Sequence, residues 1–245
     1  MGQVNNRKLV SDFCELIGKD ELLVQGAGGN VSWKEDNILW VKASGTWLEN
    51  VNTEDIFVPV CLNTINSEIK KNNYDFKPRP INESSLKPSI ETILHALMKE
   101  KYVVHLHAVD IISDLIKDNC LDILNEKMPK NLLWKLIDYY TPGPDLARSI
   151  KKIIDLNPKT KILFLRNHGL VISSDCIDNL KESLYYITKI FKKNKNLFKI
   201  KKNHIKAKVI KNNIEYKLIR NQNIRELSFS DNLIKMIKQN WAICP

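Results

Sequence analysis

The stretch from Tyr102 to His107, YVVHLH, restricts the fold of this chain more than any other. An apolar, β-branched run of this kind reads as a core strand. Strand side chains alternate between two faces, so His105 and His107 point the same way and Leu106 points the other. Just upstream, SIETILHALMKE has helical spacing: Ser89 is placed as its cap, Glu91 falls in its first turn, and Ile90, Ile93, Leu94, Leu97 and Met98 form its apolar stripe. A further helix is predicted from Val109 to Lys117. Two imidazoles on one face of a core strand either share a ligand or occupy good core positions as a structural pair.

The same alternation of helix and strand runs along most of the chain. Leu9, Val10, Phe13, Leu16 and Ile17 recur at helical spacing before Gly18, and NVSWKEDNILWVKASG predicts two short strands around KEDN, with IFVPVCL as a third. Residues 63–87, polar and proline-bearing, read as a surface excursion. A looser helical segment is expected near NLLWKLIDYY, then the turn TPGPD and a helix over DLARSIKKII. KILFLRN and HGLVIS follow as strands, and a long helix runs from about Cys176 to Lys192. This pattern favours a layered α/β domain over residues 1–200. Residues 201–245, with KAKVI, IEYKLI and the helical DNLIKMIKQNW, read as a small basic C-terminal extension, an incomplete or reassigned subdomain.

Composition excludes several function classes. With 245 residues, 43% of them hydrophobic, the chain can bury a substantial core. Its net charge of +10 thickens between Lys189 and Asn212, but the whole chain is rich in Lys, Asn and Ile and carries no nucleic-acid motif, so a nucleic-acid partner is disfavoured. Five cysteines without a CxxC pair, scattered among apolar residues, predict reduced core thiols in a cytoplasmic protein. The N-terminus lacks the apolar core of a signal peptide, and no window reaches the length of a membrane-spanning helix.

Zinc takes imidazole nitrogen readily, and a reactive site uses about three protein ligands with one position open. His105 and His107 supply two; His168, at the end of an apolar strand beside a glycine, is the candidate third. Glu91 is the nearest upstream carboxylate and can serve as ligand or as base. His95, one helical turn after Glu91, reads as a packing or hydrogen-bonding neighbour, and His204 as solvated. QGAGGNVS fits neither the dinucleotide fingerprint nor the P-loop pattern. Its narrower reading is a glycine turn whose Gly28, Gly29 and Asn30 can offer donors to an anion. KASG, Lys42 to Gly45, is a second such turn.

In this order the pieces resemble the class II aldolase/adducin family. Gly29-Asn30-Val31-Ser32, Ser44-Gly45, Pro88-Ser89-Ile90-Glu91, His105-Leu106-His107 and Asn167-His168-Gly169 match its succession of motifs, over about residues 5–195. Each motif is weak alone, and the ordered set is specific. The resemblance implies a three-layer α/β/α fold with a central, mainly antiparallel sheet, and a homotetramer with sites at subunit interfaces. It implies one zinc ion per chain, held by His105, His107 and His168, with Glu91 as a ligand that moves away and then acts as base. Gly29, Asn30, Ser44, Gly45 and Ser89 match positions that hold the substrate phosphate. Ala27 and Ile90 depart from the pattern by removing donors there, and Lys42 and Lys87 are candidates to replace them with charge. The general acid that some members take from a neighbouring subunit has its nearest counterparts in Tyr139 and Tyr140, whose other role is packing beside the two prolines.

The activity so implied is cleavage or condensation of a ketose phosphate or related sugar through a metal-stabilised enediolate. Epimerisation and keto-acid decarboxylation need the same enolate. The adducin relatives use the fold as a non-catalytic assembly module, but lack the zinc histidines that are present here.

Overall fold

The structure, a computed structural model, describes residues 6–81 and 83–193, together with the backbone of 208–211 and 214–217. It divides into two compact units, Met1–Lys192 and Lys193–Pro245.

The first unit is built on seven strands: β1 (Asn30–Glu35), β2 (Ile38–Lys42), β3 (Phe57–Cys61), β4 (Tyr102–Leu106), β5 (Trp134–Ile137), β6 (Ile162–Leu165) and β7 (Gly169–Ser174). They form one sheet in the order β3-β2-β1-β4-β7-β6-β5. Every neighbouring pair is antiparallel except β5 and β6. The YVVHLH run supplies β4, the central strand, and all five of its residues are buried. It is flanked by β1 and β7, with Asn30 opposite His105 on one side and Val171 opposite it on the other.

Helices cover both faces. Against Trp33, Val104, Leu106, Phe164 and Leu170 pack α1 (Asn6–Gly18), α4 (Val109–Leu115), α5 (Cys120–Lys127) and α7 (Ile177–Phe191). Against Leu39, Val41, Val103, Leu163 and Val171 pack α2 (Leu62–Lys70), α3 (Thr92–Leu97) and α6 (Pro144–Leu156). This is the three-layer α/β/α arrangement with a mainly antiparallel sheet. Its two cores form because the period-two strands send alternate residues to opposite helical layers.

Five local expectations are corrected. The segment near NLLWKLIDYY is not helical: Trp134–Ile137 pairs in parallel with β6, and a helix, α5, precedes it. The polar excursion after residue 62 contains α2, anchored by buried Ile65 and Ile69 four residues apart. The helix after Pro88 begins only at Thr92, with Glu91 as its N-cap residue. Ser89 does not cap it; its hydroxyl accepts from the Glu91 N–H in the turn before it. Ile90 leaves the apolar stripe altogether and is 69% exposed.

Among the described residues Cys14, Cys61, Cys120 and Cys176 are free; Cys14 and Cys120 lie in the core, whereas Cys176 is exposed. No helix among the described residues is long and apolar enough to cross a membrane. In the second unit, β8 (Lys208–Lys211) and β9 (Ile214–Lys217) form an antiparallel hairpin. His204, Cys244 and the DNLIKMIKQNW segment lie outside the described residues.

Candidate metal centre

Three strands deliver the histidines to one place. His105 is on β4, His107 follows that strand by one residue, and His168 stands in the tight turn from β6 to β7. That turn needs Asn167 at φ 55° and then Gly169, where an added Cβ would lie 2.2 Å from the carbonyl oxygen of Leu106. Only glycine lets the turn close onto β4, which brings His168 beside His105. One ligand nitrogen from each of His105, His107 and His168 lies within 4.8 Å of the others. The Nε2 atoms of His105 and His107 are 3.1 Å apart.

The tautomer of His105 follows from its surroundings. Its Nδ1 lies 3.1 Å from the carbonyl oxygen of Leu170, which can only accept, so Nδ1 carries the proton and Nε2 presents a lone pair. Burial holds His105 at about 3, assisted by the neighbouring His107. Burial likewise pulls His168 to about 3, with His105 assisting, and lowers His107. Neutral imidazoles are the form that ligates metal.

Glu91 reaches the same place from the other layer. Its Oε2 is 3.5 Å from His105 Nε2 and its Oε1 is 3.4 Å from His168 Nε2. Neither contact is an ion pair while the rings are neutral. Asn30 Nδ2 donates to Glu91 Oε2 at 2.8 Å, and β1 thereby holds the carboxylate. Glu91 Oε1 and His168 Nδ1 are buried without a hydrogen-bond partner. A buried carboxylate oxygen without a donor, beside neutral imidazoles, is the environment a divalent cation satisfies, and the donor set of three imidazoles with a carboxylate nearby fits zinc.

The two glycine-rich turns border this centre. Gly29 adopts φ 70°, and a Cβ there would come within 3.2 Å of the His105 carbonyl oxygen; a Cβ on Gly28 would stand 3.3 Å from His107 Nδ1. The turn at Ala43–Thr46 is tied to the segment before Glu91 by an Ala43–Pro88 bridge and by the Ser44 N–H donating to the Lys87 carbonyl. Ser44 and Gly45 are exposed, whereas Asn30 and Ser89 are buried.

Lys42 does not offer its charge to a ligand. Its Nζ is buried and donates to the carbonyls of Ala27, Ala43 and Thr46, using its three protons to lash one turn to the other. Burial pulls it down to about 8, with Cys14 and Glu91 opposing. Lys87 is exposed. Tyr139 and Tyr140 are 48% and 41% exposed, and among the described residues neither bonds to or stacks on the histidines. Sequence reading missed the Leu170 carbonyl, because a main-chain acceptor carries no residue-type signal. It also gave His95 to Glu91, whereas the His95 side chain bonds the Ser32 hydroxyl.

Residues 8–194 match the family of the Class II Aldolase and Adducin N-terminal domain. A Bacillus subtilis (strain 168) protein named uncharacterized oxidoreductase YuxG is 30% identical over 172 residues, which are 64% of this chain but only 24% of that protein. The L-fuculose phosphate aldolase of Methanococcus maripaludis (strain C5) is 28% identical over 168 residues, 65% of this chain and 78% of the aldolase. The methylthioribulose-1-phosphate dehydratase of Geobacillus thermodenitrificans is 31% identical over 114 residues, 40% of this chain and 53% of the dehydratase. Among solved structures, the N-terminal class II aldolase domain of a conserved Thermoplasma acidophilum protein superposes with a TM-score of 0.66 at 26% identity, covering 78% of this chain and 94% of that domain.

Proposed function

Because this chain belongs to the Class II Aldolase and Adducin N-terminal domain family, we propose that it is a zinc-dependent lyase acting on a ketose phosphate or related sugar. The observation that carries this reading is the meeting of His105, His107 and His168 with the Glu91 carboxylate in one buried place. An assembly module has no use for three neutral imidazoles around an unpartnered carboxylate oxygen.

In this reading His105, His107 and His168 hold the metal, with Glu91 beside them. When bound, zinc supplies Lewis-acid stabilisation of negative charge on substrate oxygen. The chain's own residues do the rest. Among the described residues Glu91 is the carboxylate at the centre, so it takes and returns the proton, and the Asn30 amide keeps it in place. The histidines stay neutral and donate no proton. Gly29, Asn30, Ser44, Gly45 and Ser89 border the approach and are assigned to the substrate, with backbone N–H groups of the glycine turns as its anion donors. Tyr140 is assigned as the acid for the leaving oxygen, reaching the centre of a second copy in a homotetramer.

Retro-aldol cleavage breaks a carbon–carbon bond after loss of a hydroxyl proton and leaves its electron pair as an enediolate. Dehydration, the reaction named for the Geobacillus relative, removes a C–H proton beside the carbonyl and expels a β-hydroxyl. Both need one base and one site for negative charge, which this centre offers. Epimerisation and decarboxylation through the same enolate are the other outcomes.

The test is a panel of ketose phosphates and keto acids incubated with metal-loaded protein in deuterium oxide, followed for cleavage, dehydration, carbon dioxide release and deuterium uptake. Turnover of at least one compound, lost in Glu91→Gln, is expected. No turnover and no deuterium uptake across the panel would return the assembly-module reading.

A further inference from the structure

One strand of the sheet carries a row of polar residues into an apolar layer. Asn30, Ser32 and Lys34 alternate on the β1 face that meets α3, among Leu39, Val41, Val103, Ile93 and Leu94. Each bonds a successive point of the α3 segment. Asn30 Nδ2 donates to Glu91 Oε2 at 2.8 Å, and the Ser32 hydroxyl lies 2.7 Å from His95 Nδ1. Lys34 Nζ donates to the carbonyls of Met98 and Glu100, at 2.5 and 2.8 Å, just beyond the helix C-terminus.

The spacings explain why these bonds form together. Two residues of strand advance about 6.6 Å, and four residues of helix advance about 6 Å. Asn30 to Ser32 therefore keeps step with Glu91 to His95. A slide of α3 along β1 by a single residue would break both bonds at once. Apolar contact between the layers is non-directional and does not fix such a slide, whereas buried hydrogen bonds do. His95 itself argues against a packing role. Both it and Ser32 are fully buried, and His95 Nε2 has no partner, a cost that leucine at this position would not carry. The His95 N–H also donates to the Glu91 carbonyl, so the ring and the carboxylate are joined through one helical turn.

We infer that Ser32 and His95 are positioning residues: their bond sets the axial place of α3 on β1 and so the place of the Glu91 carboxylate against His105 and His168. Neither touches the metal or the substrate; they act through Glu91. The inference rests on the proposed role of Glu91 at the metal centre.

The test is a double-mutant cycle read by cobalt(II) titration of the metal-stripped full-length chain, with the visible d–d band reporting affinity and ligand set. Glu91→Gln is expected to weaken cobalt binding by about 10-fold or more, the range seen when groups supporting a metal ligand are removed, and Ser32→Ala, which acts only through Glu91, by a smaller factor. The double variant should match Glu91→Gln, because the hydroxyl acts only through the carboxylate. Native cobalt affinity and spectrum in Ser32→Ala, with only a lower Tm, would overturn the inference while leaving the metal set intact. Full additivity in the double variant would overturn it as well. Unchanged cobalt binding in Glu91→Gln would instead remove Glu91 from the ligand set, and the inference with it. Should Ser32→Ala not fold, His95→Asn takes its place in the cycle.

Discussion

Lowering the pH should destabilise the metal-free protein through its histidine cluster. His105 and His168 sit at about 3 in the folded state because they are buried among one another, while in the unfolded chain they return to about 6.5. The unfolded state therefore binds more protons everywhere between these values, and stability must fall as pH falls through that window. At pH 5 each unfolded imidazole has gained about 2 kcal/mol from protonation that its folded counterpart has not. The two together cost about 4 kcal/mol relative to pH 7.5, set against a total of about 5–15 kcal/mol for an ordinary domain. His107 and His95 shift in the same direction, with burial first among the causes, and add to the loss. Urea unfolding of metal-stripped protein at pH 7.5, 6.5, 5.8 and 5.0 measures it. The wild type should lose about 4 kcal/mol more over this range than a variant carrying His105→Asn and His168→Asn. Equal losses in the two proteins would refute the burial of neutral imidazoles.

Gly169→Ala should be far more damaging than Gly45→Ala. A Cβ at 169 meets the Leu106 carbonyl oxygen at 2.2 Å across the central ladder, whereas at 45 nothing lies within 4 Å and only φ 78° resists it. Thermal unfolding should drop by roughly 3 kcal/mol or more in the first and about 1 kcal/mol in the second; comparable losses would contradict the close β4–β7 approach. Lys42→Met strands three carbonyls and should cost about 2–4 kcal/mol in urea unfolding, with faster amide exchange at residues 26–29 and 43–46; unaltered exchange there would disprove the clamp. Asn30→Ala should slow deuterium uptake by a processed substrate at least about 10-fold, and an unaltered rate would remove Asn30 from the support of Glu91.

What was legible in the sequence was whatever depends on local pattern. YVVHLH announced a core strand with two imidazoles on one face because period two leaves no other arrangement, and His168 was reachable because Asn-His-Gly marks a tight turn. Trp134–Ile137 was not legible: its apolar residues fit both a helical and an extended period, and parallel pairing with β6 decided between them. The helix α2 hid in a polar stretch whose only signal was Ile65 and Ile69, four apart and both buried. Ile90 looked like part of a helix stripe, yet the helix starts two residues later and the side chain faces solvent. Lys42 looked like a ligand for an anion, but its three carbonyl partners come from loops that only the fold brings together. The Ser32–His95 bond spans 63 positions, which no local reading could join.

Metal analysis of the purified full-length chain tests the central claim most directly. The account predicts close to one zinc ion per chain, as a single centre of this kind requires, and near-complete loss of it in a His105→Ala, His107→Ala double variant whose fold is intact by circular dichroism. Zinc retained at the wild-type level in that variant would contradict it.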